Sequence, residues 1–150
     1  MMSAVGLSGG CFLDTNVLSE LMRDAPAPEV LRWFATQNPN NLYTSTVNQA
    51  EVLAGIAVLP AGKRRDALAR AAQQIFEDDF AGRCLVFGSG SAEQFALVMA
   101  QRKRMGRPIE AVDAQMAAIA LAAQLKLVAR NTEDFASIDG LEVINPWLPR

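Results

Sequence analysis

Short apolar runs that stop at polar, turn-forming residues alternate along this chain with longer stretches whose apolar positions recur at helical spacing. Residues 11–13 predict a first strand that ends at Asp14, Thr15 and Asn16, and residues 17–22 and 29–37 predict helices, the second with Pro28 near its first turn. A turn cluster at 38–41 precedes a second strand at 42–44. Thr46 and Gln49 have the spacing of a capping box, opening a helix with Val47, Ala50, Leu53, Ala54 and Ala57 on one side and an end near Pro60. Residues 62–80 predict a long helix and 84–87 a third strand. Ser91 to Gln94 is a second capping-box pattern, starting a helix that runs to about Met105. After the break at 106–108 come an Ala-rich helix at 111–124, a fourth strand at 127–129, a polar turn at 131–135 and a short edge strand at 142–144.

This alternation predicts an α/β fold with a central, mostly parallel sheet of four to five short strands flanked by helices. No repeat or low-complexity linker interrupts it, so residues 1–150 are expected to be one domain, with 1–10 as a loose leader. Ligands of such sheets gather beyond the carboxyl ends of the strands. The acidic residues fall in those places. Asp14 follows the first strand, Glu51 lies early in the helix after the second, and Asn131 and Asp134 follow the fourth. Asp113 opens the Ala-rich helix among Val112, Met116, Ile119 and Ala120.

Composition narrows the chemistry these groups can do. The chain has no histidine, which removes imidazole bases, Ser-His-Asp triads and His-ligated zinc. Cys11 and Cys84 are too few for a thiolate metal site and read as buried thiols, although spacing alone leaves a disulfide open. What remains is an all-oxygen ligand set, suited to Mg²⁺ or Mn²⁺. Crowded carboxylates repel one another unless a divalent ion neutralises them, and such an ion activates water against a phosphodiester. Each residue also has a plainer explanation. Asp14 is equally well placed to cap a helix, Glu51 to face solvent, Asp113 to answer a helix dipole and Asp134 to sit in an ordinary turn. Their recurrence after strands carries the argument.

The net charge of −2 shows no global positive field for nucleic acid. Of the two basic runs, 63–65 reads as solvated helix surface, whereas 102–107 precedes Asp113 and suits phosphate steering, with Arg107 as a candidate contact. Arg130 either meets substrate or pairs with a site carboxylate. Trp33, Phe34 and Trp147 read as packing. Residues 1–10 lack a secretory pattern, and the most apolar later stretch, 111–129, is broken by Asp113, Gln115, Gln124 and Lys126, so a cytoplasmic protein off the membrane is expected.

The string from Leu13 to Glu20 resembles the opening motif of PIN-domain proteins, specifically VapC/FitB-type toxins. Residues 46–55, with Glu51, resemble that family's second motif, and 111–120, with Asp113, its third. Residues 128–135 and the Asn145-Pro146-Trp147 ending complete the pattern in order across nearly the whole chain. The resemblance implies a PIN-like three-layer α/β/α fold and a Mg²⁺- or Mn²⁺-dependent endoribonuclease acting as the toxin of a toxin–antitoxin pair. It implies Asp14, Glu51 and Asp113 as metal ligands and catalytic groups, with Asn131 as a further ligand and Asp134 as a further catalytic residue that compensates for it. Thr15, Asn16, Arg107, Arg130 and Thr132 become candidate RNA contacts. A homodimer and a small, DNA-binding antitoxin are the implied partners. Some members carry Asp where this chain has Asn131, whose neutral carbonyl is a weaker ligand. That departure keeps open a catalytically weak scaffold that binds RNA or protein. A phosphomonoesterase with an aspartyl nucleophile is weaker still, since Asn16 stands where its second acid belongs.

Overall fold

The central strand sorts its side chains to two sides. In the computed structural model, which describes residues 9–149, β1 (Cys11–Leu13) sends Cys11 and Leu13 into one apolar cluster and Phe12 into another. That is the period-two alternation of a strand buried on both faces. β4 (Lys126–Val128) divides Leu127 and Val128 in the same way. With β2 (Leu42–Ser45), β3 (Cys84–Leu85) and β5 (Val143–Ile144) they form a five-stranded sheet of order β3-β2-β1-β4-β5, with parallel pairings throughout.

Helices cover both faces. On one side α1 (Thr15–Leu21), α2 (Pro28–Ala35), α3 (Thr46–Ala57) and α4 (Lys63–Gln73) contribute Val17, Leu18, Trp33, Val52, Ile56 and Ala72 to the core. On the other, α5 (Ser89–Arg104) and α6 (Ala111–Ala122) contribute Val98, Ala114, Met116, Ala117, Ile119 and Ala120. The chain moves outward from β1 to β3, then crosses back to β4 and β5. The strand order therefore reverses beside β1, and the switch point, where sheets of this kind hold their ligands in a crevice, lies at the carboxyl ends of β1 and β4.

Several local expectations need correction. The cap of α3 is Ser45, whose hydroxyl accepts from the Asn48 N–H; Thr46 is already helical. Its buried stripe is Asn48, Val52 and Ile56, so Leu53, 45% exposed, lies on the outer side with Ala50, Ala54 and Ala57. The second capping box does not form: α5 starts from Gly88 without a side-chain cap, and Ser91 is buried inside it. The expected long helix at 62–80 is α4 followed by a π-helical turn, Gln74–Asp79, which turns Ile75 and Phe76 into the core. The third strand ends at Leu85, leaving Val86 and Phe87 exposed. Residues 1–8 of the expected leader lie outside the described residues, and Gly10 is buried, its carbonyl accepting from the Lys126 N–H. Cys11 and Cys84 are both thiols, and burial pushes the Cys84 thiol up, away from reactivity. Among the described residues no helix is long and apolar enough to cross a membrane.

Candidate active site

Asp14 enters the site because the strand ends there. Its backbone N–H still pairs with the Val128 carbonyl of β4 at 2.9 Å, which fixes the residue at the crevice between the two strands. It stands at the N-cap position of α1, yet its side chain makes no capping hydrogen bond. Only 5% of it is exposed. Burial is the main force pushing its carboxyl up to about 7; the Thr15 backbone N–H opposes this, and the charges of Asp113, Glu51 and Asp134 add to it.

The second element approaches from α3. Exposed Glu51 accepts a 2.6 Å hydrogen bond from the Thr15 hydroxyl, across from α1. One turn earlier, the fully buried Asn48 donates through Nδ2 toward the Leu13 carbonyl at 3.1 Å, the Thr15 Oγ1 at 3.2 Å and the Met116 Sδ at 3.2 Å. Thr15, read from sequence as a substrate contact, is thus engaged with Glu51, while Asn16 is exposed on the first turn of α1.

Asp113 is half-buried in the first turn of α6. Its carboxyl is raised to about 6, chiefly by burial and then by Asp134, Glu110 and Glu51, with Arg102 pulling the other way. Asp14 therefore feels the charges of Asp113, Glu51 and Asp134, and Asp113 those of Asp134 and Glu51, although the four come from separate segments. Sequence reasoning missed Glu110, the residue at the N-cap position of α6, whose charge bears on Asp113.

The segment after β4 is looser. Asn131 and Asp134 are exposed at the two ends of a 3₁₀ turn, with Thr132 between them. The turn is tied down from below by Arg102. Rather than steering phosphate, this buried guanidinium donates to the carbonyls of Arg107 at 2.8 Å, Asp134 at 3.0 Å and Ala136 at 3.3 Å. Arg107 pairs with the exposed Glu133 at 3.0 Å. Arg130 stacks over the Trp147 ring, its guanidinium carbon 4.9 Å from the ring centre. The other basic run, expected to be plain surface, has Lys63 and Arg64 lining a groove that also takes in Arg23, Ile56 and Leu68 and opens at Thr15 and Glu51.

The donor set suits a hard cation. Raised Asp14 and Asp113 carboxyls mark a place where negative charge lacks compensation, which a divalent ion supplies. Among the described residues, no three acidic ligands are drawn tight enough to enclose a bare ion. Mg²⁺ does not need such a cage, because it keeps several of its waters and takes one or two carboxylates directly.

Comparison with known proteins identifies the family. The PIN domain family pattern matches residues 11–141, spanning every segment that contributes a carboxylate. Plasmid stability protein StbB of Pseudomonas syringae pv. tomato is 42% identical over 135 residues, 90% of this chain and 96% of that protein. VapC ribonuclease Y4jK of Sinorhizobium fredii is 39% identical over 137 residues, 91% of this chain and 97% of its own length. Toxin FitB of Neisseria gonorrhoeae is 35% identical, covering 90% of this chain and 96% of that toxin. Among solved structures, FitAB bound to an IR36 DNA fragment superposes with a TM-score of 0.86 at 33% identity, over 93% of this chain and 97% of that one. With the parallel sheet, the strand-end carboxylates and this coverage in agreement, the chain belongs to the PIN domain family.

Proposed function

We propose that this chain is the toxin of a type II toxin–antitoxin system, acting as a Mg²⁺- or Mn²⁺-dependent endoribonuclease. The carrying observation is that buried Asp14 stands at the sheet's switch point within reach of the charges of three sequence-distant carboxylates, Asp113, Glu51 and Asp134. Nearness to a protein named as a VapC ribonuclease supports the reaction, and nearness to FitB supports the toxin role.

Asp14, Glu51 and Asp113 would hold the ion, one or two of them directly and the rest through its waters, with the Asn131 carbonyl oxygen as a further neutral ligand. When bound, a divalent ion supplies charge stabilisation at a phosphoryl oxygen and a lowered pKa for the attacking water. The protein's own groups do the rest. Asp14 and Asp113 surrender their protons as the site fills. Thr15 fixes one Glu51 oxygen, and exposed Asp134 accepts a proton at the rim. Arg107 exchanges Glu133 for an RNA phosphate, while Asn16 and Thr132 offer polar contacts and Arg130 on Trp147 a stacked cation.

The partner follows from the same relationships. Related structures are toxin–antitoxin complexes, FitAB among them bound to DNA, so a small, DNA-binding antitoxin is the expected partner of a cytoplasmic homodimer. Asn131 supports a second reading, a scaffold that binds RNA without cutting it. Purified protein, free of antitoxin, is incubated with a mixed pool of structured RNAs and Mg²⁺, Mn²⁺ or EDTA. Metal-dependent cutting that disappears in Asp14→Asn and Asp113→Asn is expected. RNA binding without cutting selects the scaffold, and equal cutting by all three proteins defeats the mechanism.

A further inference from the structure

Asn48 is the one polar side chain on the buried stripe of α3, and it is fully buried. Val52 and Ile56, the apolar members of that stripe, pack into the core. A buried carboxamide is costly unless its hydrogen bonds are made, so its partners show what holds it there. The Leu13 carbonyl can only accept, and this fixes which end of the amide faces it: Nδ2 points to Leu13 and Oδ1 to the Ser45 hydroxyl. The second Nδ2 proton lies between the Thr15 Oγ1 and the Met116 Sδ. Thioether sulfur is a weak acceptor, so the hydroxyl is the better partner. Thr15 has a single hydroxyl proton. When its oxygen accepts from Asn48, that proton is free for Glu51 Oε1, 2.6 Å away.

We propose that Asn48 is a positioning residue of the active site, acting through Thr15 to hold the Glu51 carboxylate. The carboxamide grips the Leu13 carbonyl, which immediately precedes Asp14, and the side chain that immediately follows Asp14. The end of β1, the start of α1 and the first turns of α3 are thereby locked in one geometry. Exposed Glu51 would otherwise sample many rotamers; the chain from Leu13 through Asn48 and Thr15 selects one of them before any ion arrives. The role rests on the proposal that Glu51 is a metal ligand, so the readouts include one that needs neither catalysis nor metal.

Mn²⁺ binding is measured by calorimetry on wild type, Thr15→Val, Thr15→Ser, Asn48→Leu and the double variant Thr15→Val/Asn48→Leu, with thermal melting as a fold control. Loss of an orienting partner typically weakens metal binding by about 10- to 100-fold. Thr15→Val and Asn48→Leu are each expected near the lower end, about tenfold, and Thr15→Ser within about twofold of wild type. The double variant should be no weaker than the worse single one, because both remove the same contact to Glu51. Multiplying effects, or wild-type affinity in a folded Asn48→Leu, overturn the relay. In the metal-free protein, the Asn48 side-chain amide signals should exchange slowly and shift in Thr15→Val. Exchange as fast as that of exposed Asn16, or no shift, also overturns it, and this arm decides if Asn48→Leu does not fold. Wild type that binds no Mn²⁺ defeats the metal reading and this role with it; equal binding by wild type and variants defeats the role of Asn48 alone.

Discussion

The two sides of the crevice are built differently. On the side of β1 and α3, Asp14 is buried and Glu51, though exposed, is held by Thr15 above the buried amide of Asn48. After β4, Asn131 and Asp134 are exposed on a short turn whose fixed point is its backbone, gripped by Arg102. The first side is organised through side chains and the second through carbonyls. A rigid half suits groups that must meet an ion in one geometry, whereas an adaptable half suits a weaker neutral ligand such as Asn131 and groups that meet a substrate of variable shape.

Substitutions on the rigid side should therefore cost most. Asp14→Asn is expected to lower RNA cleavage by about 10³-fold, since metal stabilisation of transition-state charge amounts to several kcal/mol. A comparable loss is expected for Asp113→Asn, and single-turnover cleavage at saturating Mg²⁺ checks both. A loss below about tenfold in both variants would remove these residues from the metal site.

Arg102→Met tests the other anchoring. The carbonyls of Arg107, Asp134 and Ala136 lose a charged donor, worth about 2 kcal/mol of stability, readable by urea unfolding. Amide shift changes should concentrate in residues 131–139 and spare Thr15 and Asn48. Changes at Asn48 would show that the two halves are not independent. Asp134→Asn should lower cleavage by only about tenfold, within the range of a single proton-transfer partner at its low end.

The pH dependence follows from the raised carboxyls. Folded-state values of about 7 for Asp14 and about 6 for Asp113 exceed the ordinary 3.8. The folded protein thus holds protons more tightly than the unfolded chain. Stability from these groups is full below about pH 4 and is lost as pH rises through 6 to 7. In metal-free protein, Asp14→Asn should flatten this slope and raise stability at pH 8 relative to wild type. An unchanged slope in thermal melts across that window would contradict the burial of an ionisable Asp14.

The layered α/β architecture was legible because buried parallel strands leave short apolar runs, and the acidic residues stood out by following them. The face of α3 was not. Apolar counting gathered Leu53, Ala50, Ala54 and Ala57 on one side without fixing which way it faces, and hydrogen bonding from Asn48 turns the helix so that a polar residue is buried and Leu53 exposed. Such a residue is invisible to hydrophobic periodicity, because its burial depends on partners at Leu13 and Thr15, more than thirty positions away. Arg102 misled for the same reason. Its run of charges reads as suited to phosphate steering, and only the returning turn at 134–136 supplies the carbonyls that bury it.

The most direct test of the carboxylate site is proton release on Mn²⁺ binding, measured by calorimetry at pH 6.5 in buffers of different ionisation enthalpy. With Asp14 near 7 and Asp113 near 6, about one proton should leave per ion bound, falling toward zero at pH 8.5 and in Asp14→Asn. Binding that releases no proton at pH 6.5, with the same affinity in Asp14→Asn, would mean that the ion sits elsewhere and that this crevice is not the metal site.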